Sequence, residues 1–204
     1  MTDPRKAIFD AVRAARGRGF DAMEVGALDN LLDALGVPRA GQAARKVSPA
    51  AIKHLHDFEG FARVRPDGRV EAYPDPGTGG EPWTIGYGST GVDPFNGGRI
   101  RKGTIWTRAQ AERRFRDHLA EFEAGVVAAL AGSPATQSQF DAMVSLAYNI
   151  GLSAFGGSTL LRKHRAGDYA GAANEFARWN RAGGRVMAGL TRRRAAEAAM
   201  YRGA

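Results

Sequence analysis

The chain has 204 residues, no cysteine and a formal net charge of +8, long enough for one sizeable core or a core with a small appendage. Its 44% hydrophobic and 25% charged residues are ordinary for a folded protein, so disorder is not expected to dominate. The missing cysteines exclude a disulfide framework, a thiolate nucleophile and a cysteine-ligated metal.

No apolar run approaches the roughly 20 residues a spanning helix needs. The first residues, MTDPRKAIFDAVRAARGRG, lack the apolar stretch and small-residue cleavage site of a secretory signal. Synthesis in a cytoplasm without self-directed export is therefore expected. Residues 161–204 hold ten Lys/Arg against three Asp/Glu, seven of the eight net charges. A basic surface of this kind favours polyanions, whether nucleic acid, anionic lipid or an acidic wall polymer.

In chain order, residues 3–36 read as a helical hairpin. Asp3-Pro4 is a cap followed by proline at the first helical position, and Ile8, Ala11, Val12 and Ala15 form one stripe. Asp21 and Glu24 have capping-box spacing, and Leu28, Leu31, Leu32 and Leu35 form the second stripe before Gly36 and Pro38. Residues 37–47 read as a linker, dividing the chain into a hairpin with linker (1–46) and a main domain (47–204). Ser48-Pro49 starts another helix, with Ile52, Leu55 and Phe58 inward and Glu59-Gly60 at its end. Alternation, a Pro66-Asp67-Gly68 turn and β-prone Val70, Tyr73, Trp83, Ile85 and Tyr87 make residues 61–90 a small antiparallel sheet.

Helical period returns from Thr107, where Thr107 and Gln110 fit a capping box and Phe115, Leu119, Phe122 and Val126 share a face. Thr136 and Gln139 open the next helix, which Gly151 ends. Shorter helices are expected near 158–166, 168–180 and 191–202, with Arg192 to Arg194 on a solvated face. The fold class is α+β, a small sheet beside a mostly helical body.

The stretch HDFEGFARVRPDGRVEAYPDPGTGGEPWTIGYGST, residues 56–90, carries the chemistry. Glycoside hydrolysis needs two carboxyl groups in opposite states, one donating a proton to the leaving oxygen and one ionised. Glu59, at a helix C-terminus between Phe58 and Phe61, suits the acid. Asp75, in a Pro-Asp-Pro-Gly turn, suits the ionised partner. Either residue alone would pass as an ordinary helix-end or turn acid. Their order, together with Thr84-Ile85-Gly86-Tyr87-Gly88, is what sets them apart. Of the four histidines, His54 and His56 lie two apart on a helix and share no face as metal ligands would. Surface or supporting roles are expected for them.

This pattern resembles the phage-type lysozymes, or endolysins, of glycoside hydrolase family 24, whose signature runs helix–Glu-Gly, Tyr-x-Asp, then Thr-x-Gly-x-Gly. It maps onto Glu59, Tyr73, Asp75, Thr84, Gly86 and Gly88, and continues through Gln139 to Asp141, Tyr148 to Gly151, Ser158 to Lys163, Gly167 to Tyr169, Arg178 to Asn180 and Gly189 to Arg194. Two departures stand out. The spacings of 16 from Glu59 to Asp75 and 9 from Asp75 to Thr84 are longer than usual, which leaves Asp67, Glu71 and Glu81 as rivals for the second carboxylate. Ser89 also replaces the His that often follows Gly-x-Gly.

The resemblance implies a lysozyme-like fold and cleavage of the β-1,4 bond between N-acetylmuramic acid and N-acetylglucosamine in peptidoglycan. It implies Glu59, Asp75 and Thr84 as the catalytic set, with Thr84 and Asp75 holding the attacking water, and neither metal nor organic cofactor. Tyr148, Asn149 and Ser158 are the candidates for touching the glycan. The protein is expected to act as a monomer on the wall of its host after the membrane is permeabilised. Its basic C-terminal region and first helix would be drawn to an anionic envelope, and no specific nucleic acid is expected. A lytic transglycosylase, or an inactive cationic envelope-binding protein on the same scaffold, are the alternatives. The retained Asp and Thr argue against both.

Overall fold

A computed structural model describes residues 4–35, 37, 45–61, 63–75 and 78–203. The fold is α+β, as expected. Two compact units make up the chain: residues 49–120, and residues 1–48 with 121–204.

The first unit opens with α3 (Pro49–Glu59), numbered after the two helices of the N-terminal hairpin, α1 (Pro4–Arg16) and α2 (Ala22–Ala34). Ala51 and Leu55 are its buried residues, while Phe58, expected to face inward, is exposed. The small sheet is built as separate two-stranded pairs. β1 (Val70–Glu71) pairs antiparallel with β4 (Ile105–Trp106), and β2 (Tyr73–Pro74) with β3 (Trp83–Thr84). The Pro66-Asp67-Gly68 turn forms where expected, closed by Arg65 N donating to Arg69 O at 2.8 Å.

Val70, Ala72, Ile85, Ile100, Trp106 and Ala111 form this unit's core, with Phe61, Trp83 and Phe95 packed against it. Trp106 is fully buried and its indole N–H donates to Asp93 Oδ1 at 3.0 Å. A buried indole has to find such an acceptor to offset its desolvation. The strand Ile105–Trp106 was not anticipated, because two residues carry no readable alternation.

In the second unit, α2 begins with the expected capping box, in which Glu24 N donates to Asp21 Oδ1 at 2.8 Å and Asp21 N to Glu24 Oε2 at 3.1 Å. The cations of the first helix are paired within the hairpin. Arg5 is buried, donating to Asp29 at 2.7 Å and also pairing with Asp33. Lys6 and Arg13 share Asp10. Arg16 and Arg18 share Glu24, and Arg18 first, then Arg16, hold that carboxyl down to about 2. Leu32 is buried, but Leu31 and Leu35 of the same stripe are exposed. Asp3, Gly36 and Pro38 fall outside the described residues, as do residues 38–44 of the expected linker.

Residues 45–48 are docked rather than free. Arg45 donates to Ala135 O and Thr136 O at 2.9 and 2.8 Å and lies 4.5 Å over the Phe140 ring. Lys46 pairs with Glu123 at 2.8 Å, the same carboxylate accepts from Val47 N, and Ser48 N donates to Asp141.

α4 (Arg108–Leu130) opens on the Thr107/Gln110 box and α5 (Gln137–Ile150) on the Thr136/Gln139 box. Residues 139–147 of α5 are all buried, so this helix is the centre of its unit. Around it stand α6 (Leu152–Gly156), α7 (Thr159–Arg165), α8 (Tyr169–Glu175), the hairpin β5–β6 (Arg181–Ala182, Arg185–Val186) and α9 (Ala188–Arg202), with α9 packed on α5. α9 overturns one expectation. Arg192 is exposed, but Arg193 and Arg194 are buried and both reach Glu197 Oε1, at 3.1 and 2.8 Å. Burial also holds His164 below its ordinary value, in contact with the Tyr201 hydroxyl.

Candidate active site

Glu59 is the last residue of α3. Gly60 follows with φ +71°, its N–H donating to His56 O at 3.1 Å, so the helix closes directly beyond the carboxylate. A glycine takes this left-handed position without the Cβ penalty. β2 and β3 bring the other two candidates to one place, because their register sets Tyr73 opposite Thr84, and Asp75 follows Tyr73 by two. Burial first, then the negative charges of Glu59 and Asp75, push the Tyr73 hydroxyl above its ordinary value. Both negative charges disfavour ionising this one phenol.

Beyond Thr84 the chain turns sharply. Ile85 N donates to Ser89 O at 2.9 Å and Ser89 N to Ile85 O at 3.0 Å, closing Gly86-Tyr87-Gly88 at the tip. Gly88 has φ +88°, and a Cβ placed on it would stand 3.9 Å from Glu59 Oε2. The turn thus lies beside the Glu59 carboxylate, with room for a methyl group between them. Positive φ at Gly86 (+62°) and Gly88 (+88°) is what favours glycine in this turn, and Ser89 serves it through its backbone.

Two of the three rival carboxylates are engaged elsewhere. Asp67 is exposed, receives the Arg69 guanidinium at 2.7 Å, and is held below the usual carboxylate range by it. Glu71 pairs with Arg65 at 2.8 Å. Glu81 is exposed in the loop, where its carbonyl accepts from Thr78 Oγ1. Asp75 is half-buried and also organises its own loop: Thr78 N donates to its Oδ1 at 3.0 Å, and its backbone bonds to Gly80 O and Gly79 N. Part of the longer insertion, residues 76–77, lies outside the described residues.

The other three candidates belong to the second unit. Tyr148 is half-buried with its ring 5.0 Å from Phe122, and Asn149 is exposed two residues before Gly151, which closes α5. Ser158 is buried and caps α7, its hydroxyl accepting from Leu161 N at 3.1 Å. Among the described residues no cluster of three or more metal-ligating side chains occurs.

The sequence model of the family described as Phage lysozyme matches residues 56–197, well over half of the chain. The chain belongs to the phage lysozyme family. It is 40% identical to an endolysin of Bacillus phage B103 over 155 residues, 76% of this chain and 53% of that protein. An endolysin of Bacillus phage PZA is 42% identical over 156 residues, 76% and 55% of the two. The chain thus spans about half the length of these relatives. Among solved structures, an endolysin from Escherichia coli O157:H7 phage FAHEc1 superposes with a TM-score of 0.65 at 33% identity, covering 78% of this chain and 95% of that one. The muramidase domain of SpmX from Asticaccaulis excentricus gives 0.62 at 34% identity, covering 77% and 97%. The fold is lysozyme-like.

His56 was expected at the surface or in a supporting role. Its imidazole is half-buried and stacks on Tyr87 at 4.2 Å with an 11° angle between the rings. Nothing in sequence spacing joins residues so far apart.

Proposed function

We propose that this protein is a peptidoglycan hydrolase of the muramidase type, cleaving the β-1,4 bond between N-acetylmuramic acid and N-acetylglucosamine. The observation that carries the reading is the strand register that sets Tyr73 directly across from Thr84 with Asp75 two residues on, in the same hairpin whose following turn brings Gly88 near the Glu59 carboxylate. Glu59 acts as the general acid toward the glycosidic oxygen. Asp75 and Thr84 hold the attacking water, and the reaction inverts the anomeric carbon. No cofactor enters this scheme. On the second unit, Tyr148 and Asn149 contact the glycan, and Ser158 acts through the helix it caps. The protein works as a monomer on the wall, reached once the membrane is permeabilised.

Asp75→Asn is expected to cut wall lysis by about 10²–10³-fold, whereas Asp67→Asn, Glu71→Gln and Glu81→Gln leave it within about threefold. The fragments released from purified peptidoglycan, read by mass spectrometry, should carry reducing muramic-acid ends. Anhydro ends would assign the chain to the lytic transglycosylases instead, and full activity in Asp75→Asn would remove Asp75 from the scheme.

Residues 1–46 form, in this reading, an accessory region outside the catalytic domain of residues 47–204. Attraction to an anionic envelope falls to exposed Arg162, Arg181, Arg185 and Arg192, since the cations of the first helix are spent on Asp10, Glu24, Asp29 and Asp33. Deleting residues 1–44 spares the Arg45 and Lys46 anchors. It should leave sedimentation with whole envelopes within about twofold, while changing the four arginines to Gln should weaken it and flatten its salt dependence. Loss of binding in the deletion, with the arginine variant unaffected, would transfer the role to the hairpin.

A further inference from the structure

The turn beside Glu59 is itself held from behind. Tyr87, its central residue, lies among three aromatic rings: His56 at 4.2 Å, Phe61 at 4.8 Å and Phe115 at 5.1 Å. His56 also meets Phe115 at 4.6 Å, so its imidazole is held between the turn and α4. Only the His56–Tyr87 pair is nearly parallel; the others are tilted. A near-parallel aromatic pair has a preferred mutual geometry that an aliphatic contact lacks. At the far edge of the stack, His56 Nε2 stands 3.5 Å from Glu112 Oε2, and Glu112 is tied to Arg116 at 2.9 Å. The charged groups bearing on the imidazole are therefore Glu112 and Arg116 of α4 and Asp57 of its own helix.

The placement couples this stack to the reaction. His56 precedes Glu59 by one helical turn on α3, and its carbonyl receives the Gly60 N–H that ends the helix. Tyr87 sits between Gly86, whose added Cβ would stand 3.1 Å from Ala111 Cβ, and Gly88, whose added Cβ would stand 3.9 Å from Glu59 Oε2. The turn thus abuts α4 on one side and neighbours the acid on the other, and Thr84 leads straight into it.

We propose that His56 is a positioning residue: its ring, stacked on Tyr87, sets the Gly86–Gly88 turn, and with it Thr84, at a fixed distance from the Glu59 carboxylate. The proposal rests on the reading of Glu59 as the acid. It assigns His56 no contact with the glycan and no proton transfer. The flat face is what matters, so phenylalanine should replace it and leucine, of similar bulk, should not.

The test compares His56→Ala, His56→Leu and His56→Phe in the full chain, with Glu59→Gln in parallel, measuring reducing-end release from soluble glycan strands at temperatures where each variant is folded. His56→Ala and His56→Leu are expected to lose about tenfold in kcat with KM within about twofold, and His56→Phe to recover to within about threefold of the parent. A merely structural role would lower the melting temperature without this kcat split or its rescue by a flat ring. Equal loss in the Phe and Leu variants, unchanged kcat in His56→Leu, or a loss confined to KM would overturn the proposal. If the His56 variants fail to fold, Tyr87→Leu carries the same expectation, and failure of that variant to fold as well would assign the pair to the core and overturn it. Should Glu59→Gln keep its activity, the muramidase reading fails whatever the His56 variants do. Should Glu59→Gln be dead while His56→Leu matches the parent, only the positioning role fails.

Discussion

Glu59→Gln should abolish wall lysis, by about 10³-fold or more, while the protein folds as before. A general acid contributes on the order of 10²–10⁴-fold when it is placed at the leaving oxygen, and the amide cannot donate in its stead. The fold has little reason to suffer. Glu59 ends its helix, where the last carbonyls give the macrodipole its negative end, so a neutral amide there is no worse tolerated than an anion. The amide replaces the carboxylate at nearly the same volume, and the neighbouring Gly88 leaves it room, since even an added Cβ there would stand 3.9 Å from Oε2. Clearing of a wall suspension and a thermal melt on the same preparation settle the matter. Substantial lysis by the folded variant would require another acid.

The largest stability effect is expected far along the chain, in α9. Ser145 Oγ, Arg193 Nε and Arg194 Nη2 all reach Glu197 Oε1, at 2.7, 3.1 and 2.8 Å, and all four residues are buried. Arg193 also donates to Ser145 O on α5. Glu197→Ala takes away the anion shared by two buried guanidiniums. Breaking a buried pair from one side costs about 3–5 kcal/mol, because the remaining charge loses its compensation. For a chain of this size that is a fall of about 10 °C in melting temperature. Glu197→Gln keeps an acceptor for Ser145 and should lose less. A melting temperature within about 2 °C of the parent for Glu197→Ala would show that the arginines are compensated otherwise.

Much of this molecule was legible from neighbouring residues alone. The three capping boxes, Asp21/Glu24, Thr107/Gln110 and Thr136/Gln139, formed where their spacing put them, since each bond joins a side chain to a backbone three residues away and needs no tertiary partner. The order Glu59, Asp75, Thr84 was likewise readable, and the strand register then set Tyr73 opposite Thr84.

Apolar and charged periodicity, by contrast, marks a face without saying what will cover it. Leu32 found cover while Leu31 and Leu35 did not, and Phe58 turned outward where Leu55 turned in. Arg5, Arg193 and Arg194 read as surface cations until carboxylates distant in sequence or on the same buried helix face took them inside. Asp67 and Glu71 likewise found arginine partners that the motif spacing did not specify. Local geometry, set by bonds within one turn, was determined by the sequence itself. Burial and pairing, which join residues through space, were decided only when the chain had folded.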